Sequence, residues 1–287
     1  MSQLLRNLAI LGLATLATSI AAAQEGGVSA EHHPWGRFPK GSWKLTRVIT
    51  EILDPLGNVT ATTITETRTT LIDANATTYT LRYEVTTESL GKRFVGAPQT
   101  KVLGYSGNAA GEPVTAKKIG NAEVEVNGRK IPCEVRQIQI ERMGTKPEVI
   151  MVSFNPTVSP YVLRKEGTAT AAAEGPKIST TVEVMALAPC KVLADRRNAA
   201  FIRTIEKRED LTITTMETTC DDIPGGEVAR SSQEQNAENK PLRRTTLELL
   251  DFHVGNERPD EAWGGRRRVL HRSRPRRGEE MQPSPRR

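Results

Sequence analysis

Three cysteines and four histidines are the side chains of this sequence best suited to nucleophilic or metal chemistry. A thiol nucleophile needs a histidine beside it in space, and a structural metal site needs cysteine and histidine ligands at short spacings. His32 and His33 are adjacent and have no ligand set at such spacing, while His253 and His271 lie near the chain end. The pattern predicts no catalytic residue, no metal and no cofactor, and it assigns His32 and His33 to a flexible segment.

Two further motifs have the residue types of a site without its context. Residues 104–107 fall one residue short of a nucleophile elbow, and no helix follows them, which predicts a loop. Asp221, Asp222 and Glu227 carry carboxylates of the kind that calcium prefers, although the same residues are ordinary in a charged β-turn. The sequence contains no Gly-rich phosphate loop, no Cys-x-x-Cys and no His-Glu-x-x-His. It therefore predicts a protein that is not an enzyme.

The clearest structural signal is a period of two between residues 79 and 86. Tyr79, Leu81, Tyr83 and Val85 alternate there with polar or charged residues. Such alternation is typical of a strand with one apolar and one solvated face, and β-branched neighbours oppose a helix. The four side chains are predicted to point inwards and to line a ligand-binding surface.

Runs rich in Thr, Val and Ile, separated by turn residues, recur from residue 41 to residue 252. The pair Asn127-Gly128 predicts a hairpin because both residues tolerate positive φ. A change in the parity of the apolar residues predicts a β-bulge near Gln137, and residues 193–200 are a candidate short helix. The whole pattern predicts an all-β protein, an antiparallel meander that forms a curved sheet, a half-barrel or a sandwich.

The two ends of the chain differ from this β-rich body. Residues 1–23 combine one arginine, an apolar stretch and three closing alanines, which predicts a signal peptide cleaved after Ala23 rather than a transmembrane anchor. Residues 24–40 form an irregular leader with several prolines and glycines. Residues 256–287 are basic and poor in apolar residues, which predicts a disordered tail. The mature protein is predicted to be periplasmic or extracellular, with no transmembrane segment.

Three large aromatic residues stand where the leader meets the first strand run. Trp35, Phe38 and Trp43 lie within nine residues of each other, beside two prolines. They are predicted to form an aromatic latch over an open end of the sheet, with ordinary core packing as the alternative.

The formal charge of +6 is concentrated at the ends of the chain. Residues 256–287 hold ten arginines against five acidic residues, and residues 1–23 add one further arginine, which leaves residues 24–255 with no net charge. Binding to a polyanion needs a basic patch or stripe. Any contact with an anionic polymer is therefore predicted to involve the tail.

Short similarities indicate a partial internal repeat. Residues 131–135 resemble 188–192, residues 160–164 resemble 224–230, and residues 180–184 resemble 245–249. They predict that a β extension, 188–255, repeats residues 131–187 of a β domain, 41–187, with chance similarity between β-rich segments as the alternative. This alignment places Cys220 opposite the Cys190 region on a neighbouring strand. It predicts a Cys190–Cys220 disulfide, which leaves Cys133 as a free thiol.

Three segments carry a resemblance to known proteins: Gly41-Ser42-Trp43, the hairpin of residues 126–133 and the strand entry of residues 158–162. On these the chain resembles a broad group of uncharacterised exported bacterial β proteins. More distantly it resembles the lipoprotein-carrier type of half-barrel. The resemblance implies a curved sheet around an apolar cavity that holds a lipid or acyl chain, although the helices of such carriers have no counterpart in this sequence.

These features together predict a non-catalytic protein that binds an apolar ligand, such as a lipid, or an envelope protein on a concave sheet face. The alternative is a structural or adhesive envelope component, in which edge strands pair with another chain and the Arg-rich tail contacts an anionic polymer. A hydrolase ranks behind both because no catalytic signature supports it.

Overall fold

The structure, a computed structural model, describes residues 29–142, 146–170, 175 and 177–255. The predicted signal peptide, residues 1–23, and the predicted tail, residues 256–287, lie outside the described residues. One short 3-10 helix, Ala30–His32, precedes the sheet. No helix in the described part of the chain is long and apolar enough to cross a membrane.

Antiparallel strands make up most of the described chain. In chain order they are β1 (Trp43–Leu53), β2 (Val59–Ala74), β3 (Thr78–Ser89), β4 (Lys92–Val95), β5 (Gln99–Gly104), β6 (Val114–Val126), β7 (Arg129–Ile140), β8 (Glu148–Phe154), β9 (Val162–Thr170), β10 (Lys177–Val192), β11 (Asp195–Arg208), β12 (Leu211–Thr219), β13 (Glu227–Asn236) and β14 (Pro241–His253). They form one sheet in the order β4-β3-β2-β1-β14-β13-β12-β11-β10-β9-β8-β7-β6, and β5 pairs with the same edge of β3 as β4. The prediction of an all-β antiparallel meander is confirmed.

A short connection requires this sheet to curve. β5 lies at one end of the sheet and β6 at the other, so a flat sheet would separate them by roughly 58 Å at the usual strand spacing. Residues 105–113, which join them, span at most about 35 Å when fully extended. The two ends therefore curl towards each other around a concave face. Among the described residues these ends do not pair, so the curved open sheet is the observed form.

Local expectations along the strands are partly confirmed. Asn127 and Gly128 have φ values of 54° and 72° and join β6 to β7, as the hairpin prediction required. The bulge predicted near Gln137 is wrong in position: β7 keeps a continuous register with β8, and the extra residue is Ile119 of β6. The parity change arises because Cys133 and Ile138 pack in different apolar clusters.

The helix considered for residues 193–200 is wrong. Leu193 has a φ of 53° in the turn between β10 and β11, and β11 begins at Asp195. Residues 195–200 then pair with β10, for example Ala199 with Ala188. Backbone pairing with a long neighbouring strand outweighs a weak helical preference of this segment.

Strand registers reveal a repeat of 65 to 66 residues. Ala122 pairs with Cys133 in β6–β7, and 66 positions later Ala188 pairs with Ala199 in β10–β11. Each of these two hairpins skips one residue at the same place, 119 in the first and 185 in the second. The strand unit β6–β9 therefore recurs as β10–β13.

The second half of this unit repeats as closely. Phe154 pairs with Val162 in β8–β9, and 65 positions later Thr219 pairs with Glu227 in β12–β13. The turns within these two strand pairs share three backbone hydrogen bonds at the same offset. In one of them the N–H of residue 155 donates to the carbonyl oxygen of residue 161, and the N–H of residue 220 donates likewise to that of residue 226. Residues 131–135, however, correspond by register to β11 and not to residues 188–192. Residues 187 and 188 both lie within β10, so the sheet continues across the domain boundary predicted there.

Candidate functional site

The concave face contains a pocket of about 170 Å³. Its lining comes from β3 and β5, from β1, β12 and β13, and from residues 29–42, hereafter the N-terminal segment. The structure brings all four predicted lining residues into this pocket: Tyr79, Leu81, Tyr83 and Val85. Their alternation along β3 explains this placement, because every second side chain of a strand points to the same face. Their contact with a ligand stays a prediction.

The N-terminal segment packs into the concave face around His33. The imidazole of His33 is fully buried, 4.6 Å from the Tyr79 ring and 4.9 Å from the Tyr105 ring. Its Nδ1 accepts hydrogen bonds from the backbone N–H groups of Trp35 and Gly36, so the proton of the neutral ring resides on Nε2. Burial, aided by the nearby Arg37, lowers the pKa of His33 to about 3. The expectation of a flexible segment is wrong here.

A turn on the opposite side of the pocket, residues 220–226, secures the N-terminal segment. The backbone N–H of Gly225 donates a hydrogen bond of 2.8 Å to the Pro34 carbonyl oxygen, and Arg37 forms a 2.8 Å ion pair with Asp221. Gly225 has a φ of 75°, and a Cβ atom there would lie 2.7 Å from the indole of Trp35. Only glycine combines this backbone conformation with so close an approach of the indole.

Two of the three predicted latch residues belong to this packing. Trp35 is buried in a cluster with Leu71 and Tyr105, and Phe38 packs against the same cluster. Trp43 does not join them: its ring lies below the Arg68 guanidinium, 4.2 Å from the ring centroid, and stacks with His253. Trp43 belongs to β1, whose next residue lines the pocket, and adjacent strand residues point to opposite faces.

Four charged side chains of the pocket lining form a group that we call the charged cluster: Lys44, which is buried, and Glu217, Glu227 and Arg230, which are half-buried. Lys44 Nζ lies 3.6 Å from Glu227 Oε2, and Arg230 Nε lies 3.4 Å from Glu227 Oε1. Glu217 is the register partner of Arg230 on the neighbouring strand, and all four residues line the pocket. The charged cluster therefore shares the pocket with the apolar residues of β3, and Lys44 lies two strands from Tyr83 because both pair with Thr69 of β2.

Burial changes the proton affinity of the charged cluster. Desolvation, together with the negative charge of Glu227, raises the pKa of Glu217 to about 8, against the opposing effect of Arg230 and Lys44. Desolvation also lowers the pKa of Lys44, while Glu227 and Glu217 counteract that change. Glu217 is accordingly protonated for the most part at neutral pH.

Sequence reasoning missed most of the charged cluster. Lys44, Glu217 and Arg230 lie in Thr-rich or mixed runs, where a single charged residue resembles an ordinary solvated position. Lys44 between Trp43 and Leu45 resembles the solvated face of an alternating strand, and nothing in the local pattern shows that this face lines a pocket.

The predicted disulfide is not formed in the structure, where all three cysteines are free thiols. Cys190 and Cys220 nevertheless belong to one apolar cluster, and Cys133 belongs to another. Their pairing under oxidising conditions stays a prediction. Burial raises the pKa of the Cys133 and Cys220 thiols, which opposes a nucleophilic role.

The remaining motifs also have structural roles. Residues 104–107 begin a loop closed by a hydrogen bond from the Gly104 N–H to the Asn108 carbonyl oxygen. Asp221 and Asp222 each pair with an arginine, Arg37 and Arg197 respectively. Within the ranges that the structure describes, no three His, Cys, Asp or Glu side chains converge as metal ligands would.

Two solved structures are similar to this chain, each covering 75% of it and matched over 97% of its own length. One is a protein from Bacteroides fragilis NCTC 9343 described as exported and as having a YmcC-like fold, with a TM-score of 0.32 and 10% sequence identity. The other, from Parabacteroides distasonis ATCC 8503, is described as a lipoprotein, with a TM-score of 0.33 and 8% identity. No family model and no curated protein sequence matches the chain. No ligand or residue role is transferred from these similarities.

Proposed function

We propose that this protein is an exported, non-catalytic binding protein whose concave pocket takes a small apolar ligand or the apolar part of a larger one. The observation that carries the proposal is the lining of the pocket, to which Trp35, Leu81, Tyr83, Val85 and Leu103 contribute apolar side chains. A largely apolar, concave and preformed cavity is the usual form of a small-molecule site.

The size of the pocket limits what it can enclose. Its volume of about 170 Å³ is close to that of an engineered apolar cavity of about 150 Å³ that binds benzene in another protein. One aromatic ring or a short alkyl chain fits such a space. A complete lipid acyl chain would need displacement of the N-terminal segment from the concave face.

Calorimetric titration with benzyl alcohol tests the proposal. The wild-type protein should bind one equivalent, and the variant Val85→Trp, which fills the pocket with an indole, should lose at least tenfold in affinity. Glu88→Trp is the matched control, because Glu88 is exposed and lies on the opposite face of the same strand. Binding that is absent in the wild type, or equally strong in both variants, would contradict the proposal.

An open sheet edge favours the second candidate, a contact with an envelope partner. β4 is exposed along its whole length, with Phe94 and Val95 on the surface and Leu90 in the turn before it. An edge strand of this kind can pair with an added strand of another chain. The variant Val85→Trp fills the pocket and leaves these exposed residues unchanged. If this variant still binds a partner protein, the binding site of that partner is the β4 edge.

A further inference from the structure

We infer that the pocket selects a monoanionic apolar ligand, a short-chain or aromatic carboxylate, whose anionic group binds beside Lys44. This inference rests on the proposed function and specifies the ligand class of the same pocket. It follows from the composition of the charged cluster, from its geometry and from the apolar residues that line the same pocket.

The geometry of the charged cluster provides a cation for an anionic ligand. Glu227 uses one carboxylate oxygen towards Lys44 and the other towards Arg230, so one fixed anion lies between two fixed cations. An ammonium group can donate three hydrogen bonds, and in the described part of the chain Glu227 is the one ion partner of Lys44. The remaining donors of Lys44 are suited to a ligand carboxylate.

The charge of the cluster depends on Glu217. When Glu217 is protonated, Lys44, Arg230 and Glu227 leave one net positive charge, which a single ligand carboxylate would neutralise. When Glu217 is ionised, the cluster is already neutral, and a buried ligand anion would be uncompensated. An uncompensated charge in a desolvated site is strongly unfavourable. Binding of the anion and retention of the proton on Glu217 are therefore coupled.

Other charged groups around the pocket do not cancel the net positive charge of the charged cluster. Arg37 of the N-terminal segment and Asp221 of the 220–226 turn neutralise each other at 2.8 Å. Lys101 of β5 lies 5.8 Å from the Tyr83 ring centroid and is exposed, so it adds positive potential at the pocket rim. The imidazole of His32 also lines the pocket. The Nε2 atom of His32 lies 3.2 Å from the carbonyl oxygen of Pro156.

The apolar wall determines the rest of the ligand. Leu81 and Tyr83 line, together with the charged cluster, a cavity that holds about one ring. A ligand that fills it would place an apolar ring or short chain against β3 and its carboxylate against β1. Benzoate and hexanoate have this arrangement of one anionic group beside a small apolar body.

Calorimetry with benzoate and its neutral analogue benzyl alcohol, between pH 6 and pH 9, tests the inference. Wild-type protein should bind benzoate at least tenfold more tightly than benzyl alcohol at pH 6, and this preference should fall about tenfold by pH 9. Glu217→Gln, which remains neutral at every pH, should keep the preference at pH 9. Glu248→Gln, an exposed carboxylate that pairs with Arg47, is the matched control and should behave as wild type.

A second variant separates charge recognition from pocket shape. Lys44→Met should lose the benzoate preference while it still binds benzyl alcohol; if this variant does not fold, the Glu217→Gln profile decides alone. Equal affinity of the wild type for both probes at pH 6, or an unchanged pH profile in Glu217→Gln, would overturn the inference and leave the proposed function standing. Failure of both probes to bind would instead refute the proposed function.

Discussion

Single polar residues determine the chemistry of this concave face. Lys44 and Glu217 are placed in the pocket by strands whose other inward residues are apolar or threonine, and His33 is buried beside Tyr79 and Tyr105, where two backbone N–H groups donate to its ring. Buried ionisable groups change their proton affinity because the interior solvates charge poorly. The pocket therefore combines an apolar wall with groups that titrate outside their usual ranges.

Acid sensitivity of folding should reveal the buried state of His33. Its folded-state pKa of about 3 lies below the ordinary value of 6.5, so the unfolded chain binds this proton first as the pH falls. The stability contribution is complete above pH 6.5 and is lost progressively down to about pH 3. Between pH 7.5 and pH 4.5 the loss from this group is about 3 kcal/mol.

Urea unfolding of the wild type and of His33→Asn at these two pH values measures this contribution. The side-chain oxygen of the introduced asparagine would keep an acceptor for the N–H groups of Trp35 and Gly36 without titrating. The variant should lose about 3 kcal/mol less than the wild type between the two pH values. Parallel losses in both proteins would show that His33 is not buried in the neutral form.

At the scale of the element, β3 and the 220–226 turn position the site. The alternation along β3 was readable in the sequence because apolar residues two apart identify one face of a strand. The 220–226 turn was readable only as a turn. Its contact with Trp35 depends on sheet curvature and on a segment that precedes the first strand, and no local residue pattern encodes such a distant contact.

Substitution of Gly225 tests how the N-terminal segment is held. Gly225→Ala should displace Trp35 and destabilise the protein by about 2 kcal/mol or more, through a strained positive φ and a clash with the indole. Gly128→Ala is the matched control, since Gly128 has a similar φ of 72° but nothing within 4 Å of a Cβ atom. Its cost should be limited to the backbone conformation, about 1 kcal/mol.

Intrinsic fluorescence together with urea unfolding distinguishes these two variants. Gly225→Ala should shift the tryptophan emission to longer wavelength, because Trp35 becomes exposed, whereas Gly128→Ala should leave the emission unchanged. Trp35→Phe lacks this fluorophore and gives the reference emission of the remaining tryptophans. Equal emission and equal stability of both glycine variants would contradict the proposed attachment.

At the scale of the whole molecule, the sheet acquires its function from curvature. The sequence predicted the strands, the hairpin at Asn127 and the antiparallel meander, because period-two patterns and turn residues are local signals. It did not predict β4 and β5, whose residues are mostly exposed and show no apolar alternation, or the first half of β6, where Val114 and Ala116 alternate with exposed residues only over a short stretch. The proximity of Lys44 to Tyr83 depends on strand order and register, since both residues pair with Thr69 of β2. The approach of Glu217 and Arg230 to β3 arises only when the sheet curls, and local patterns encode neither.

The proposed function requires a small apolar ligand to occupy the pocket that β3 and the charged cluster line. Intermolecular nuclear Overhauser effects between bound benzyl alcohol and the protein locate the ligand directly. We expect contacts from the benzyl ring to the methyl groups of Leu81 and Val85 and to the ring of Trp35. Contacts confined to exposed apolar residues such as Leu90 and Phe94 on the sheet edge would contradict the proposed function.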